Sequence, residues 1–290
     1  MTPAMCALPL CTMHHQSHAP IGLFDSGIGG ITVLRELQRL LPAEQFLYLA
    51  DQARCPYGPR PAEELRTIAA ACAAWLIERG ARLIVVACNT ASAAALADLR
   101  RRFPAVPFVG MVPPVKPAVA RTRSHVVGVL ATPATIAGDL LRDVVDRWSG
   151  SVRVIEQPCP GLVEQIEAGA LDTPGTMELL HRYVTPLLAA GADTIVLGCT
   201  HYPLLLPQIQ RIAGADVLLL DAAPAVAGRV VQVLAERRLA YPESAPAGTL
   251  TYATTGDPAL LARQIVRLDL PRGPVQAARL ELDTQPAAKS

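Results

Sequence analysis

Two stretches, Gly80–Cys88 (GARLIVVAC) and Gly191–Cys199 (GADTIVLGC), decide how this chain folds. Each opens on Gly-Ala, runs through aliphatic residues and closes on a cysteine. Polar residues follow both times, Asn89-Thr90 in one case and Thr200-His201 in the other. A short apolar run without polar alternation is the pattern of a strand buried on both faces, as in a parallel sheet covered by helices. A second pair lies upstream. Ile21–Ser26 (IGLFDS) resembles Val127–Thr132 (VGVLAT), so each half of the chain carries two matching segments in the same order. Such self-similarity predicts a duplicated α/β unit.

Working outward from these runs, strands are predicted at 21–25, 46–50, 82–87, 106–110, 125–130, 152–156, 193–198, 216–220 and 249–253. Amphipathic stretches between them read as helices; that at 61–79 has Pro61 at its start and Gly80 just past its end. Alternation of strand and helix predicts parallel sheets. The expected architecture is α/β, with mainly parallel sheets built from a duplicated unit. The expected boundaries are a disordered leader at 1–19, a first domain at 20–114 plus 222–270, a second at 115–221, and a C-terminal tail at 271–290.

Bulk properties narrow the function. Of 290 residues, 51% are hydrophobic and 18% charged, enough apolar material for a sizeable core. The net charge of +1 and scattered arginines argue against nucleic acid as partner. No apolar run is long enough to cross a bilayer. The seven cysteines, Cys6, Cys11, Cys55, Cys72, Cys88, Cys159 and Cys199, include no C-x-x-C pair. The first residues lack the basic opening of a secretory signal, so a cytoplasmic location is expected. Cys6, Cys11, His14, His15 and His18 are read as part of the leader, and no metal site is expected.

In open α/β sheets, ligands bind at the carboxyl ends of strands. Four predicted strand ends carry small polar residues before a helix: Asp25-Ser26-Gly27, Cys88-Asn89-Thr90, Thr132 to Thr135, and Cys199-Thr200-His201. Unpaired N–H groups at helix starts suit carboxylates. The run Gly27-Ile28-Gly29-Gly30 fails the dinucleotide spacing, because Thr32 stands where a third glycine belongs. It reads as a tight turn with close backbone approach.

A cysteine ending a buried strand is usually a small hydrophobe, and that reading covers Cys55, Cys72 and Cys159. Cys88 and Cys199 differ, because each precedes polar residues and a predicted helix start, which is expected to lower a thiol pKa. Two related units facing one another would set these thiols on opposite sides of one cleft. That arrangement suits inversion at a carbon acid: one thiolate removes the α-proton and the opposite thiol returns a proton to the other face. Asp25 and His201 are expected as assistants, one near each thiol; helix capping and a buried hydrogen-bonded histidine are the competing readings. Only Lys116 and Lys289 are present, and neither resembles an anchor for pyridoxal phosphate, so no cofactor is expected.

At these residues the chain resembles the glutamate racemases of the aspartate/glutamate racemase superfamily. The matching segments are FDSGIGG at 24–30, ADQARCPYG at 50–58, VACNTAS at 86–92, CPGLVEQIEAG at 159–169 and LGCTHYPLL at 197–205, within residues 21 to about 221. The resemblance implies two pseudo-symmetric, doubly wound α/β domains with mainly parallel sheets and the active site in the cleft between them. It implies Cys88 and Cys199 as the two bases, assisted by Asp25, His201 and Glu167. It implies substrate contacts from Asp25, Ser26, Pro56, Tyr57, Gly58, Asn89, Thr90, Thr132, Thr135, Thr200 and His201. Glu164 stands where the family usually has proline. The resemblance further implies conversion of L- to D-glutamate for peptidoglycan and assembly as a homodimer. Some members with an N-terminal extension need a cell-wall precursor as activator; residues 1–19 contain no motif that decides this.

Rival readings are an aspartate or hydantoin racemase or a one-thiol decarboxylase of the same superfamily, a two-lobed amino-acid binding protein, and a Cys–His hydrolase. A second strand-end cysteine has no task in the last three.

Overall fold

The computed structural model describes residues 19–241 and 246–282; the leader expected at 1–19 lies, but for Ala19, outside the described residues. The chain begins with β1 (Ile21–Asp25), α1 (Ile31–Leu40), β2 (Phe46–Ala50), α2 (Ala62–Glu78), β3 (Leu83–Val86), α3 (Asn89–Arg102) and β4 (Phe108–Gly110). It continues through α4 (Val115–Val119), β5 (Val126–Ala131), α5 (Pro133–Ala137), α6 (Asp139–Trp148), β6 (Arg153–Pro158), α7 (Leu162–Glu167) and α8 (Pro174–Ala189). Then follow β7 (Thr194–Gly198), α9 (Leu206–Ala213), β8 (Leu218–Asp221), α10 (Ala223–Glu236), β9 (Leu250–Thr254), α11 (Pro258–Arg267) and β10 (Val275–Ala277).

The strands form a six-stranded sheet in the order β10-β9-β2-β1-β3-β4 and a four-stranded sheet in the order β6-β5-β7-β8. Every pairing is parallel. The central β2-β1-β3-β4 order of the first sheet is the β6-β5-β7-β8 order of the second. The duplication expected from sequence is therefore topological: β1 corresponds to β5 and β3 to β7. Strands β1, β2, β3 and β7 are buried at every residue, which is why they read as unbroken apolar runs. Edge strand β6 alternates in exposure and ends on Pro158, whose missing N–H a sheet edge tolerates.

The repeated glycine has a packing cause. A Cβ on Gly22 would stand 3.0 Å from Ala81 Cβ and 3.3 Å from Leu76 Cβ, and one on Gly128 would stand 2.6 Å from Leu187 Cδ1. Leu76 lies on α2 and Leu187 on α8, the corresponding helices of the two halves. Each helix lies so close to its central strand that a side chain added at the glycine would have to push a helix residue aside.

The nine predicted strands are all present, within two residues at each end. Strand β10 was not expected; it pairs β9 inside the stretch read as a tail. The helix predicted at 61–79 is α2, with Gly80 in the left-handed region (φ 81°) just beyond it. Among the described residues no helix is long and apolar enough to cross a membrane.

Candidate active site

In both sheets the strand order reverses between the first strand of the repeat and its third, and ligand crevices form outside the carboxyl ends at such points. The two crevices meet. From the first half, β1 delivers Asp25 and Ser26 and β3 delivers Cys88; from the second, β5 delivers Thr132 and β7 delivers Cys199, Thr200 and His201. Asp25, Ser26, Cys88, Asn89, Thr90, Thr132, Thr135, Cys199, Thr200 and His201 are each at most 6% exposed.

Contacts between the halves are crossed. The loop after β1 meets the loop after β7: Thr200 Oγ1 donates to Asp25 Oδ2 at 3.1 Å, and Thr32 Oγ1 donates to the Thr200 carbonyl at 3.3 Å. The loop after β3 meets the loop after β5: Thr90 Oγ1 lies 2.8 Å from Thr132 Oγ1 and 3.2 Å from Thr135 Oγ1. Since β1 corresponds to β5 and β3 to β7, exchanging the halves turns one set of contacts into the other. That is the contact pattern of two equivalent halves facing one another, with Cys88 and Cys199 just beyond the corresponding strands β3 and β7.

The glycine run is where the halves come closest. A Cβ on Gly29 would stand 2.7 Å from two carbons of the His201 ring, and one on Gly27 would overlap the Glu167 carboxylate. Ile28 N–H donates to Glu167 Oε1 at 2.7 Å, and Tyr48 Oη donates to the Gly27 carbonyl at 2.7 Å. Close backbone approach, to protein groups of the other half, explains these glycines.

The thiols have unlike surroundings. Cys88 is the N-cap of α3, and its sulfur accepts from Ala91 N–H at 3.5 Å. Burial pushes the Cys88 thiol well above its ordinary value, the Asp25 carboxylate raises it further, and the Ala91 N–H offsets only part of this. The helix start was expected to lower this pKa; burial and a neighbouring anion outweigh it. Cys199 has no helix directly after it. Tyr202–Leu205, containing Pro203, form a 3₁₀ turn before α9 begins at Leu206. Its sulfur lies instead 3.8 Å from His201 Nδ1.

His201 Nε2 donates to Glu167 Oε1 at 2.7 Å. Burial works against a charged imidazole, but hydrogen bonds to Cys199 and Glu167 and the charge of Asp25 hold His201 well above its ordinary value. Burial likewise works against a charged Glu167, yet its bonds to His201 and the Ile28 N–H keep it below the usual carboxylate value. Asp25 is fully buried, and burial raises its pKa despite the His201 charge nearby. Its carboxylate also braces the glycine loop, accepting from Ser26 N–H at 2.6 Å and Gly30 N–H at 2.5 Å. Asp25 does not cap α1, whose N-cap is Gly30; these bonds stay within the loop before the helix.

Asn89 is 3% exposed, and neither its Oδ1 nor its Nδ2 has a hydrogen-bond partner. A buried amide left unpaired is costly unless something else is to pair with it. Thr90, Thr132 and Thr135 form a hydroxyl cluster, with Thr132 also capping α5. Tyr57 is not gathered with these groups through its hydroxyl, which donates to Asp51 Oδ2 at 2.8 Å inside the core. The Pro56–Gly58 stretch reaches the second half through Gly58, whose carbonyl accepts from Ala134 N–H at 3.2 Å.

Sequence reasoning missed Gln52 and Gln264, both hydrogen-bonded to Glu167. Gln52 sits inside the quoted ADQARCPYG segment, whereas nothing around Gln264 marks it. Cys55, read as a plain hydrophobe, is half-buried, and burial pushes its thiol up, with Glu167 and Asp25 adding to this. Among the described residues one trio, Cys55, Glu167 and His201, brings metal-ligating atoms within 4.8 Å of one another; two of the three are already hydrogen-bonded to each other.

Two halves that each bring a strand-end thiol to the crevice make a candidate site of the kind suited to proton transfer at a carbon acid. The model of the Asp/Glu/Hydantoin racemase family matches residues 21–230, and the chain belongs to that family. It is 72% identical over 271 residues to the glutamate racemase of Roseiflexus sp. (strain RS-1), covering 93% of this chain and 100% of that one. Among solved structures it resembles glutamate racemase isoform RacE1 from Bacillus anthracis, with TM-score 0.83, 31% identity, and 91% and 98% of the two chains covered. It also resembles Escherichia coli glutamate racemase in complex with L-glutamate and the activator UDP-MurNAc-ala, with TM-score 0.79, 29% identity, and 91% and 99% covered.

Proposed function

We propose that this chain is a glutamate racemase, with Cys88 and Cys199 exchanging the roles of base and acid on opposite faces of the substrate α-carbon. In one direction the thiolate of one cysteine takes the Cα proton, and the bonding pair stays on Cα, delocalised into the carboxylate. The thiol of the other cysteine then gives its proton to the opposite face and is left as thiolate. The reverse direction exchanges the two. The observation that supports this is the crossed contact pattern, with the two cysteines at the ends of corresponding strands in the two halves.

Each thiol has its own proton partner. Asp25, raised by burial, stands beside Cys88 as an acceptor of its proton, and the Glu167-backed His201 imidazole faces Cys199. Asn89 and the hydroxyls of Ser26, Thr90, Thr132, Thr135 and Thr200 are the groups for the substrate's ammonium and carboxylates, and the segment Pro56–Gly58 adjoins them. Backbone N–H groups at the start of α3 stabilise negative charge developing on the α-carboxylate. Glutamate as substrate rests on the 72% identity to the Roseiflexus enzyme, and supply of D-glutamate for peptidoglycan follows from that substrate.

The same proposal includes two domains divided as the two sheets are, a homodimer, a cytoplasmic location, and response to a cell-wall precursor like that in the E. coli complex. A chiral assay with L-glutamate and L-aspartate, without pyridoxal phosphate, tests the central reading. Racemisation of glutamate well above aspartate is expected; inversion of aspartate alone would overturn it. Repeating the assay with the precursor, alongside size-exclusion chromatography, tests the partners.

A further inference from the structure

The first sheet carries a piece that the second lacks. Strands β9 and β10, with α11 between them, extend it beyond the shared four-strand order. This piece reaches into the site. Gln264 of α11 is 6% exposed, and its Nε2 donates to the Glu167 backbone carbonyl at 2.6 Å and lies 3.5 Å from Glu167 Oε2. Its Oε1 accepts from Gln52 Nε2 at 2.8 Å, and the same Nε2 donates to Glu167 Oε2 at 3.0 Å. Gln52 is oriented in turn by Thr254 of β9, whose Oγ1 donates to Gln52 Oε1 at 3.0 Å. Glu167 is the last residue of the six-residue α7, so its own helix gives it little support.

We propose that Gln264 and Gln52 are positioning residues for proton transfer at Cys199: they fix Glu167 so that Oε1 alone is presented to His201. The inference rests on the racemase reading above. Gln52 and Gln264 take up Oε2 and the backbone carbonyl, and Ile28 N–H and His201 share Oε1. Among the described residues no glutamine pair stands behind Asp25, which the loop amides and the Ser26 and Thr200 hydroxyls hold. The unduplicated piece therefore serves one thiol and not the other, and breaks the functional symmetry of an otherwise duplicated site.

The alternative is that these amides only join α11 to the second half. The two roles differ in what they move. Among the described residues the side chains of Gln52 and Gln264 hydrogen-bond to neither thiol nor to any group assigned to substrate, so positioning acts on kcat and leaves KM nearly alone. It also acts on pH dependence. The ionisable groups facing the pair are Cys199, Asp25, Cys55 and Tyr48. Removing donors from Glu167 makes its carboxylate easier to protonate, and its hold on the His201 proton then weakens. Both limbs of the activity profile move inward.

The test measures kcat, KM, the pH profile and the melting temperature for wild type, Gln264→Leu and Gln52→Leu with each glutamate enantiomer. Expected for Gln264→Leu are a kcat about tenfold lower, KM within about twofold, and each pH limb displaced inward by about half a unit or more. Gln52→Leu moves the same quantities in the same directions. Since L- and D-glutamate are equal in free energy, kcat/KM falls equally from both sides. Wild-type kcat with an unmoved profile in Gln264→Leu overturns the inference; should that variant not fold, the same result in Gln52→Leu does so. A change in KM alone also overturns it. Wild type inactive on glutamate would remove the substrate reading and this inference together, whereas active wild type with indifferent variants removes only this inference.

Discussion

His201 Nε2 lies 2.7 Å from Glu167 Oε1, and this bond joins the two groups whose ionisation is displaced in opposite directions. His201 is raised, so its contribution to stability is complete below the ordinary imidazole value and fades as pH rises through the raised one. Glu167 is lowered, so its contribution is present above the ordinary carboxylate value and fades as pH falls through the lowered one. The pair therefore stabilises the fold across the interval between. Glu167→Gln should cost about 3 kcal/mol near neutral pH and flatten both limbs in denaturation measured over a pH series. An unchanged stability profile would mean the pair contributes nothing.

Gly29 is held to glycine by the histidine across the cleft. Gly29→Ala places a methyl 2.7 Å from two ring carbons and must displace His201. Activity should fall about a hundredfold, as expected when a proton-transfer group is displaced by about an ångström. Gly228→Ala is the control: that position lies inside α10 with nothing within 4 Å of a new Cβ. It should raise stability by about 0.5–1 kcal/mol and leave racemisation alone.

Asn89 offers a separation of stability from function. Its amide is buried and unpaired, so Asn89→Ala removes an unsatisfied polar group from the first turn of α3. The melting temperature should stay level or rise while KM for glutamate increases at least about tenfold. A destabilised variant with ordinary KM would place Asn89 among structural residues.

Cys88→Ala and Cys199→Ala should each lower racemisation by at least about a thousandfold while circular dichroism and melting remain near wild type. Each side chain is a small group whose loss leaves little void. Near wild-type activity in either variant would remove the two-base scheme.

Much of this architecture was written in the chain. Buried parallel strands leave unbroken apolar runs, and the two matched pairs announced a repeat that the strand orders reproduce. The strand-end cysteines, Asp25, Asn89 and His201 were legible because strand ends are where such sheets bind ligands. Strand β10 was not legible: Val275–Ala277 is short and partly exposed, and forms only because β9 offers an edge. Gln264 was not legible either, since its role arises from a contact with Glu167, 97 residues away. The Cys88 thiol went the other way from expectation because burial beside Asp25 is a tertiary fact that a helix start in the sequence does not reveal.

The most direct test of two opposed thiols is the fate of the α-hydrogen in heavy water. With L-glutamate, product formed in the first turnovers should carry solvent deuterium at Cα while the remaining substrate stays protiated, because separate groups take and give the proton. Equal deuterium in both from the outset would mean that one exchanging base serves both faces, and would contradict the assignment of Cys88 and Cys199.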